Sequence, residues 1–524
     1  MIDEDAWQDP TDEPVVAGPW RFALRGAEIA DLQHRGVTVL RAIRFVTRDH
    51  DWRTADDTVL RRTVAVRAAV PSARIRIEAS SAYDGVEVLR WAVDVALDGA
   101  TVHVDAVATT TRAFRRNRVG LVVLHPPTLA GRPFLVRHTS GPPTAHRYPT
   151  WTAPHQPATD VVGYEWSVDG IDVDVSLAGD GFEMEDQRNW TDASYKTYST
   201  PLSEPFPVAM PAGTVVRQAV SVQCGPGGTA SPAPSLAALD GPAPGTRVVP
   251  GPTLQLLAGS APAAARPDDV ALLAGLPVLV EPVLADPDTD AVLASARRDA
   301  GGAPLDVRFV TDDPDRLRAA IDAVLASGSV VRIGAVDPGS HVTTRSLQRA
   351  LRDAARAHPG LEVVAGTRAH WTELGRTLDL FADWDGPLSF SVTPQMHDRT
   401  RAQVRESLRM QRWVAMSASR AAAGRPLHVG PVTLRPRFNA VATSPRRVVT
   451  DATAATGYGP EFVPAATDPG QYTAAAGAWF AASVAALSVP GVVSITLAEA
   501  WGPRGVVAAD GTRSPVAHAI ERSR

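Results

Sequence analysis

Val93-Asp94-Val95-Ala96-Leu97-Asp98-Gly99-Ala100-Thr101-Val102-His103-Val104 decides the architecture of the first half of the chain. Apolar residues occupy every second position, Asp98-Gly99 interrupts them, and the alternation resumes at Val102 and Val104. A period of two lays one side of a strand on a core. Asp-Gly between two such runs is the strongest short signal for an antiparallel hairpin. His103 falls on the solvent-facing phase of this pattern. The signal recurs at Asp169-Gly170 followed by Ile171, Val173, Val175 and Leu177, and Ile75 and Ile77 alternate with Arg74, Arg76 and Glu78. No long stretch before residue 224 has helical spacing. Residues 1–224 therefore read as an antiparallel β-sandwich, closed by a strand around Val215–Val222. Pro201, Pro205, Pro207 and Pro211 keep the segment before it out of any central strand.

From 225 to 252 the composition turns to Pro, Gly, Ala and Ser, which marks a linker. Beyond it the rhythm changes. Apolar runs at Pro277–Glu281, Leu305–Thr311, Val330–Val336, Leu361–Thr367, Leu388–Thr393, Val414–Ser417, Leu427–Leu434 and Val492–Leu497 alternate with amphipathic segments such as 315–326, 346–357 and 400–412. Eight strands alternating with helices over residues 253–524 predict a (β/α)8 TIM-type barrel, with an insertion at 440–469 after the seventh run.

Composition narrows the function classes. The chain has 524 residues, 44% hydrophobic and 21% charged, with a net charge of −5. That balance excludes a basic nucleic-acid surface. The single cysteine, Cys224, excludes a disulfide framework and a cysteine metal cluster. The acidic start lacks a signal peptide and no apolar run reaches membrane length, which predicts a cytoplasmic protein with no membrane partner. Gly-x-Ser-x-Gly, His-Glu-x-x-His, Gly-x-Gly-x-x-Gly after a strand and Walker sequences are all missing, so no cofactor or histidine-held metal is expected. A carboxylate-held Ca²⁺ or Mg²⁺ leaves no such pattern and stays open. Oligomeric state is not legible.

Polar residues gather in two places. The stretch 183–198 packs Glu183, Glu185, Asp186, Arg188, Asn189, Asp192 and Lys196 among Trp190, Tyr195 and Tyr198, a mixture suited to a polar pocket or to a structural ion-pair cluster. The second group follows the ends of barrel strands, where such barrels carry their sites. It comprises Glu281 after the first run, Arg368, His370 and Glu373 after the fourth, and Gln395, His397 and Asp398 after the fifth. Thr433, Arg435, Arg437 and Asn439 follow the seventh, and Glu499 and Trp501 the eighth. Glu373 and Glu499 are the carboxylate pair expected to do acid–base work. Glu373 or Glu499 would activate water, His397 would donate a proton to a leaving alkoxide, and Arg435 or Arg437 would hold an oxyanion. Glu185, Arg188, Asn189, Asp192, Lys196, His155, Gln395, Arg437 and Asn439 would bind substrate or support the pocket. His125 reads as a structural hydrogen-bonding group or a site residue.

Several segments carry a resemblance. Glu185-Asp-Gln-Arg-Asn-Trp190 with Asp192-Ala-Ser-Tyr-Lys-Thr-Tyr198 resembles the signature of the D-apionate lactonase family. So do Gly120-Leu-Val-Val-Leu-His-Pro126, Pro154-His-Gln-Pro157 and Pro431-Val-Thr-Leu-Arg-Pro-Arg-Phe-Asn439. The resemblance implies hydrolysis of D-apionolactone to D-apionate in apiose catabolism, with a small sugar lactone as the partner. The sequence departs from that pattern at Arg368, where an acid is expected, and at His370-Trp371, where Asn-Phe is expected. It also stops at Arg524, where relatives continue into a small β domain. Two rival readings stand beside it: a glycoside hydrolase using the Glu373–Glu499 pair, and a carbohydrate-binding protein without catalysis.

Overall fold

Both Asp-Gly turns close hairpins in the register that the alternation requires. Val86–Asp98 pairs antiparallel with Thr101–Thr110 through Leu97↔Val102 and Asp98↔Thr101, and Gly163–Val168 pairs with Ile171–Ala178. Gly99 and Gly170 stand at φ +57° and +80°, the left-handed region that a side chain resists. The computed structural model describes residues 4–9, 11–67, 72–228, 251–260, 267–273, 275–443, 449, 466–508 and 510–522.

The described N-terminal residues build two nine-stranded antiparallel sheets. The first is centred on Val37–Asp49 paired with Phe114–His125. The second is centred on Ser72–Tyr83, Val86–Asp98, Thr101–Thr110 and Val215–Pro226. Buried side chains of both, among them Phe22, Ile43, Ile75, Val95 and Leu121, form one core. The proline-rich segment supplies only the three-residue strand Val208–Met210, laid against Phe114–Arg116. His103 is bonded to Ser221 at the sheet surface, while His125 lies fully buried between Thr197 and Tyr148 and serves the core. Residues 229–250, most of the expected linker, lie outside the described residues, as do 444–448 and 450–465 of the expected insertion.

The second half is a closed parallel barrel, and two of its elements differ from expectation. Its strands are Thr253–Leu257, Val278–Val280, Leu305–Val310, Val330–Val336, Glu362–His370, Leu388–Val392, Leu427–Val432 and Val492–Trp501, and the first pairs with the last. The first strand, Thr253–Leu257, was hidden in the sequence by Gln255 at its centre. That amide donates to Asp306 (3.2 Å) and Thr496 (2.9 Å) in a buried polar layer that also holds Arg332. The run Val414–Ser417 is not a strand. It lies within the 22-residue helix Arg401–Ala422, and it is apolar because that helix is buried on both sides. Val414 faces the barrel core, while Met410 and Trp413 enter the core of the sheet domain. Glu281 therefore follows the second strand, Glu373 the fifth, and Gln395 and His397 the sixth.

The two halves meet along the barrel mouth. Trp371 Nε1 donates to Thr152 Oγ1 at 2.8 Å, Arg376 to the Pro154 carbonyl at 2.9 Å, and Arg44 to Asp398 at 3.0 Å.

Candidate active site

Along Val37–Asp49, Ile43, Phe45 and Thr47 point into the sheet domain, so Arg44, Val46 and Arg48 point out of it. The outward face is only half-buried. It forms one wall of a cavity of about 1080 Å³ whose other wall is the barrel mouth. Glu185, Asp192 and Lys196 line it from the sheet side, and Glu373, His397 and Arg435 from the barrel side.

The stretch 183–198 reaches this cavity as a hairpin. Strand Phe182–Asp186 leads into the short turn Gln187–Trp190 and returns as Tyr195–Tyr198. Arg188 and Asn189 do not line the cavity. Arg188 is wholly buried, grips Asp186 at 2.7 Å and donates to the carbonyls of Pro149 (2.7 Å) and Thr150 (3.2 Å). Its guanidinium lies over the rings of Tyr195 and Trp413 at 4.4 and 4.8 Å. Asn189 donates to the carbonyls of Ala153 and Asp186. These two residues clamp the 149–153 loop and so fix where Asp192 emerges.

Asp192 crosses the domain seam. Its Oδ2 lies 2.8 Å from His397 Nδ1, and Trp190 meets the same imidazole edge-on at 5.2 Å. Burial, with Lys196 and Arg48 close by, holds His397 well below its usual 6.5. Burial and Asp398 push the Asp192 carboxyl up, against the pull of Lys196, Arg44 and Arg48. Lys196 is itself paired with Glu185, whose carboxyl stays below the usual range: burial would raise it, but Lys196, His397 and Arg48 outweigh that.

Glu373 approaches from the barrel. Strand Glu362–His370 runs directly into the helix Trp371–Arg376, and Glu373 sits in its first turn. Burial raises its carboxyl to about 7, although its own backbone N–H, Arg376 and the His370 N–H favour the anion. Its Oε2 is buried with no hydrogen-bond partner among the described residues, and neither ring nitrogen of His370 has one. Burial brings His370 down to about 3. Buried polar atoms without partners are costly, and these line a cavity that can hold a polar molecule.

The remaining expected site residues divide. Gln395 and Arg435 line the cavity and share Asp468, at 2.8 and 3.3 Å. Asn439 lines it too, donating to the Asp51 carbonyl. Arg437 lies beneath the rim, where it and Arg368 hold Glu281 at 2.7 and 2.9 Å, which brings that carboxyl down to about 2. Glu281 is thus locked rather than reactive. His155 is exposed and lies away from the cavity. Glu499 does not line the cavity either: it is held by Ser260 Oγ at 2.8 Å and Arg504 at 2.6 Å, so it does not face Glu373 across the site. Sequence reasoning did not single out Arg44, Arg48 and Arg118 as lining residues. The alternation at 43–48 would have revealed two of them, had the outer sheet face been expected to be covered. Among the described residues no group of three or more His, Cys, Asp or Glu side chains could hold a metal.

Family models match both halves of the chain. Residues 3–226 match the model of the D-apionate lactonase N-terminal domain, and residues 282–523 that of the D-apionate lactonase TIM barrel domain. A D-apionate lactonase from Brucella anthropi is 33% identical over 212 residues, 39% of this chain, and the match spans about a third (34%) of that relative's length. Among solved structures, a β-arabinopyranosidase is similar over 80% of this chain and 67% of its own, with 9% identity and a TM-score of 0.30. A putative aldose 1-epimerase of Escherichia coli K12 is similar over 41% of this chain and 99% of its own, with 10% identity and a TM-score of 0.29. The two family matches together cover most of the chain, which therefore belongs to the D-apionate lactonase family.

Proposed function

We propose that this protein hydrolyses a sugar lactone, and that the reaction is the opening of D-apionolactone to D-apionate in the breakdown of D-apiose. The observation that carries the reading is the Asp192–His397 hydrogen bond, formed across the seam in the same cavity as the Glu373 carboxyl, whose Oε2 has no hydrogen-bond partner among the described residues. A lactone needs a base for water, an acid for the ring oxygen and a cation for the oxyanion, and the cavity supplies one of each.

The roles divide by protonation. His397 starts neutral. With Asp192 Oδ2 accepting from Nδ1–H, Nε2 keeps a lone pair for a water proton. The hydroxide equivalent forms the new C–O bond at the lactone carbonyl, and Arg435, oriented by Asp468, offsets the charge on the carbonyl oxygen. Glu373, protonated below about 7, gives its proton to the ring oxygen as the old C–O bond breaks. The product acid ionises, and solvent carries the proton on His397 back to Glu373. This exchanges the roles that sequence alone assigned to Glu373 and His397. The glycosidase reading loses its expected pair, because Glu499 lies outside the cavity, tied to Ser260 and Arg504.

The test is proton release at neutral pH from a panel of aldonolactones, D-apionolactone included, beside aryl glycosides. Turnover of D-apionolactone above its spontaneous opening supports the proposal. Silence on every lactone overturns it. No helix among the described residues is long and apolar enough to cross a membrane, so the assay is set up without detergent.

A further inference from the structure

Arg48 and Arg118 are directly opposite each other on the antiparallel pair Val37–Asp49 and Phe114–His125. Both line the cavity. Like charges in register on neighbouring strands repel, so this pair costs free energy unless an anion lies against it. Among the described residues no carboxylate forms an ion pair with either guanidinium. Among the described residues the Arg48 guanidinium is in no hydrogen bond or ion pair. Its nearest acids, Glu185 and Asp192, are engaged by Lys196 and His397. Arg118 is 6% exposed and among the described residues donates only to the Asn117 carbonyl, at 2.7 Å, while its Nε and Nη2 are buried with no partner among them. The rings of Trp52, Tyr198 and Phe206 surround its guanidinium at 4.9, 5.2 and 5.7 Å. Ring faces offset the charge but accept none of the in-plane N–H bonds. The Tyr198 hydroxyl, the nearest polar atom of that set, is spent on Glu183. Ten basic against seven acidic side chains line the whole cavity, although the chain carries a net charge of −5.

We propose that Arg48 and Arg118 form a carboxylate subsite of this cavity, and that its ligand is a small sugar acid. A carboxylate matches the paired donors of a guanidinium. The apolar floor of Val46, Val122, Leu124 and Tyr198 beside the pair accepts the carbon chain. The inference rests on the lactonase reading for its choice of ligand. The carboxylate has two sources: the acid released when a neutral lactone opens, or a second acid group already present on the lactone.

The experiment is calorimetric titration of the full-length protein with sodium erythronate and with erythritol, its neutral counterpart. The wild type is expected to bind erythronate about tenfold or more tighter than erythritol. Arg118→Met and Arg48→Met each abolish that preference, and Arg118→Lys restores part of it. Thermal melts show that each variant is folded. Arg48 is only half-buried, so its variant keeps the test open if Arg118→Met does not fold. Equal binding of the two ligands by the wild type, or an undiminished preference in both folded Met variants, overturns the subsite.

Lactone turnover by the same preparations separates the two readings. Turnover without a carboxylate preference removes the subsite alone, and the preference without turnover removes the lactonase alone. Comparing a neutral lactone with a glucarolactone identifies the source. Competitive inhibition by erythronate on a favoured neutral lactone marks the product acid, and a favoured glucarolactone marks a substrate acid.

Discussion

In the proposed reaction Glu373 is the residue on which the chemistry and the stability both turn. Its carboxyl stands at about 7 because it is buried, so the fraction able to donate a proton falls as pH rises through 7. The enzymatic rate, corrected for spontaneous opening, is expected to fall above pH 7 with that midpoint. Glu373→Gln should lose about 10²- to 10⁴-fold in kcat together with this limb, whereas a rate that climbs through pH 7 would make Glu373 the base instead. Linkage gives a second consequence. The folded value lies above the ordinary 4.5, so the contribution to stability is complete below 4.5 and is lost as pH rises through 7. The shift corresponds to about 3 kcal/mol. Glu373→Gln is therefore expected to be more stable than wild type at pH 8 and little different at pH 4.5, as read from urea midpoints. Parallel pH dependences for the two proteins would contradict this. Glu373 and His397 were legible in the sequence because residues that follow barrel strands face the mouth. Glu499 follows the same rule and fails it. It lies within its strand, Val492–Trp501, which pairs in parallel with the short strand Gly505–Val507, and Arg504 and Ser260 close on it. Nothing in the spacing of Ser260 and Glu499 announces that contact.

At the scale of elements, the clamp on the 149–153 loop sets the position of Asp192. Arg188→Met would leave Asp186 buried with its cation gone, and breaking a buried pair from one side costs about 3–5 kcal/mol. Chemical denaturation should show a loss of that size, while a loss below about 1 kcal/mol would mean that the loop relaxes around the gap. The sequence showed this stretch to be held by charges, but it could not tell Arg188, which holds, from Asp192, which faces the ligand. Both are polar residues among aromatics, and only the turn at Gln187–Trp190 sends them opposite ways. The barrel strand Thr253–Leu257 and the helix Arg401–Ala422 were misread for a common reason. Alternation and runs report burial, whereas Gln255 is buried by polar partners and Val414 by packing on both sides of its helix.

For the whole molecule, the cavity exists only where the two halves touch. The Trp371–Thr152 bond is a direct, buried side-chain link across that seam. A double-mutant cycle with Trp371→Phe and Thr152→Val should return a coupling of about 1 kcal/mol, and a value near zero would mean that the link carries no docking energy. Sequence showed two domains and placed polar groups in each. The seam itself was illegible, because Arg44 and Arg48 look like solvent-facing strand residues until a second domain covers them. The Asp192–His397 bond turns that seam into a clock. Each partner belongs to a different folding unit, so neither half can catalyse when it has merely regained its strands. During recovery from denaturant, lactone turnover should lag behind the far-ultraviolet circular dichroism and keep pace with a fluorescence signal from Trp371. The return of activity would then time domain docking, the last event in the molecule's assembly.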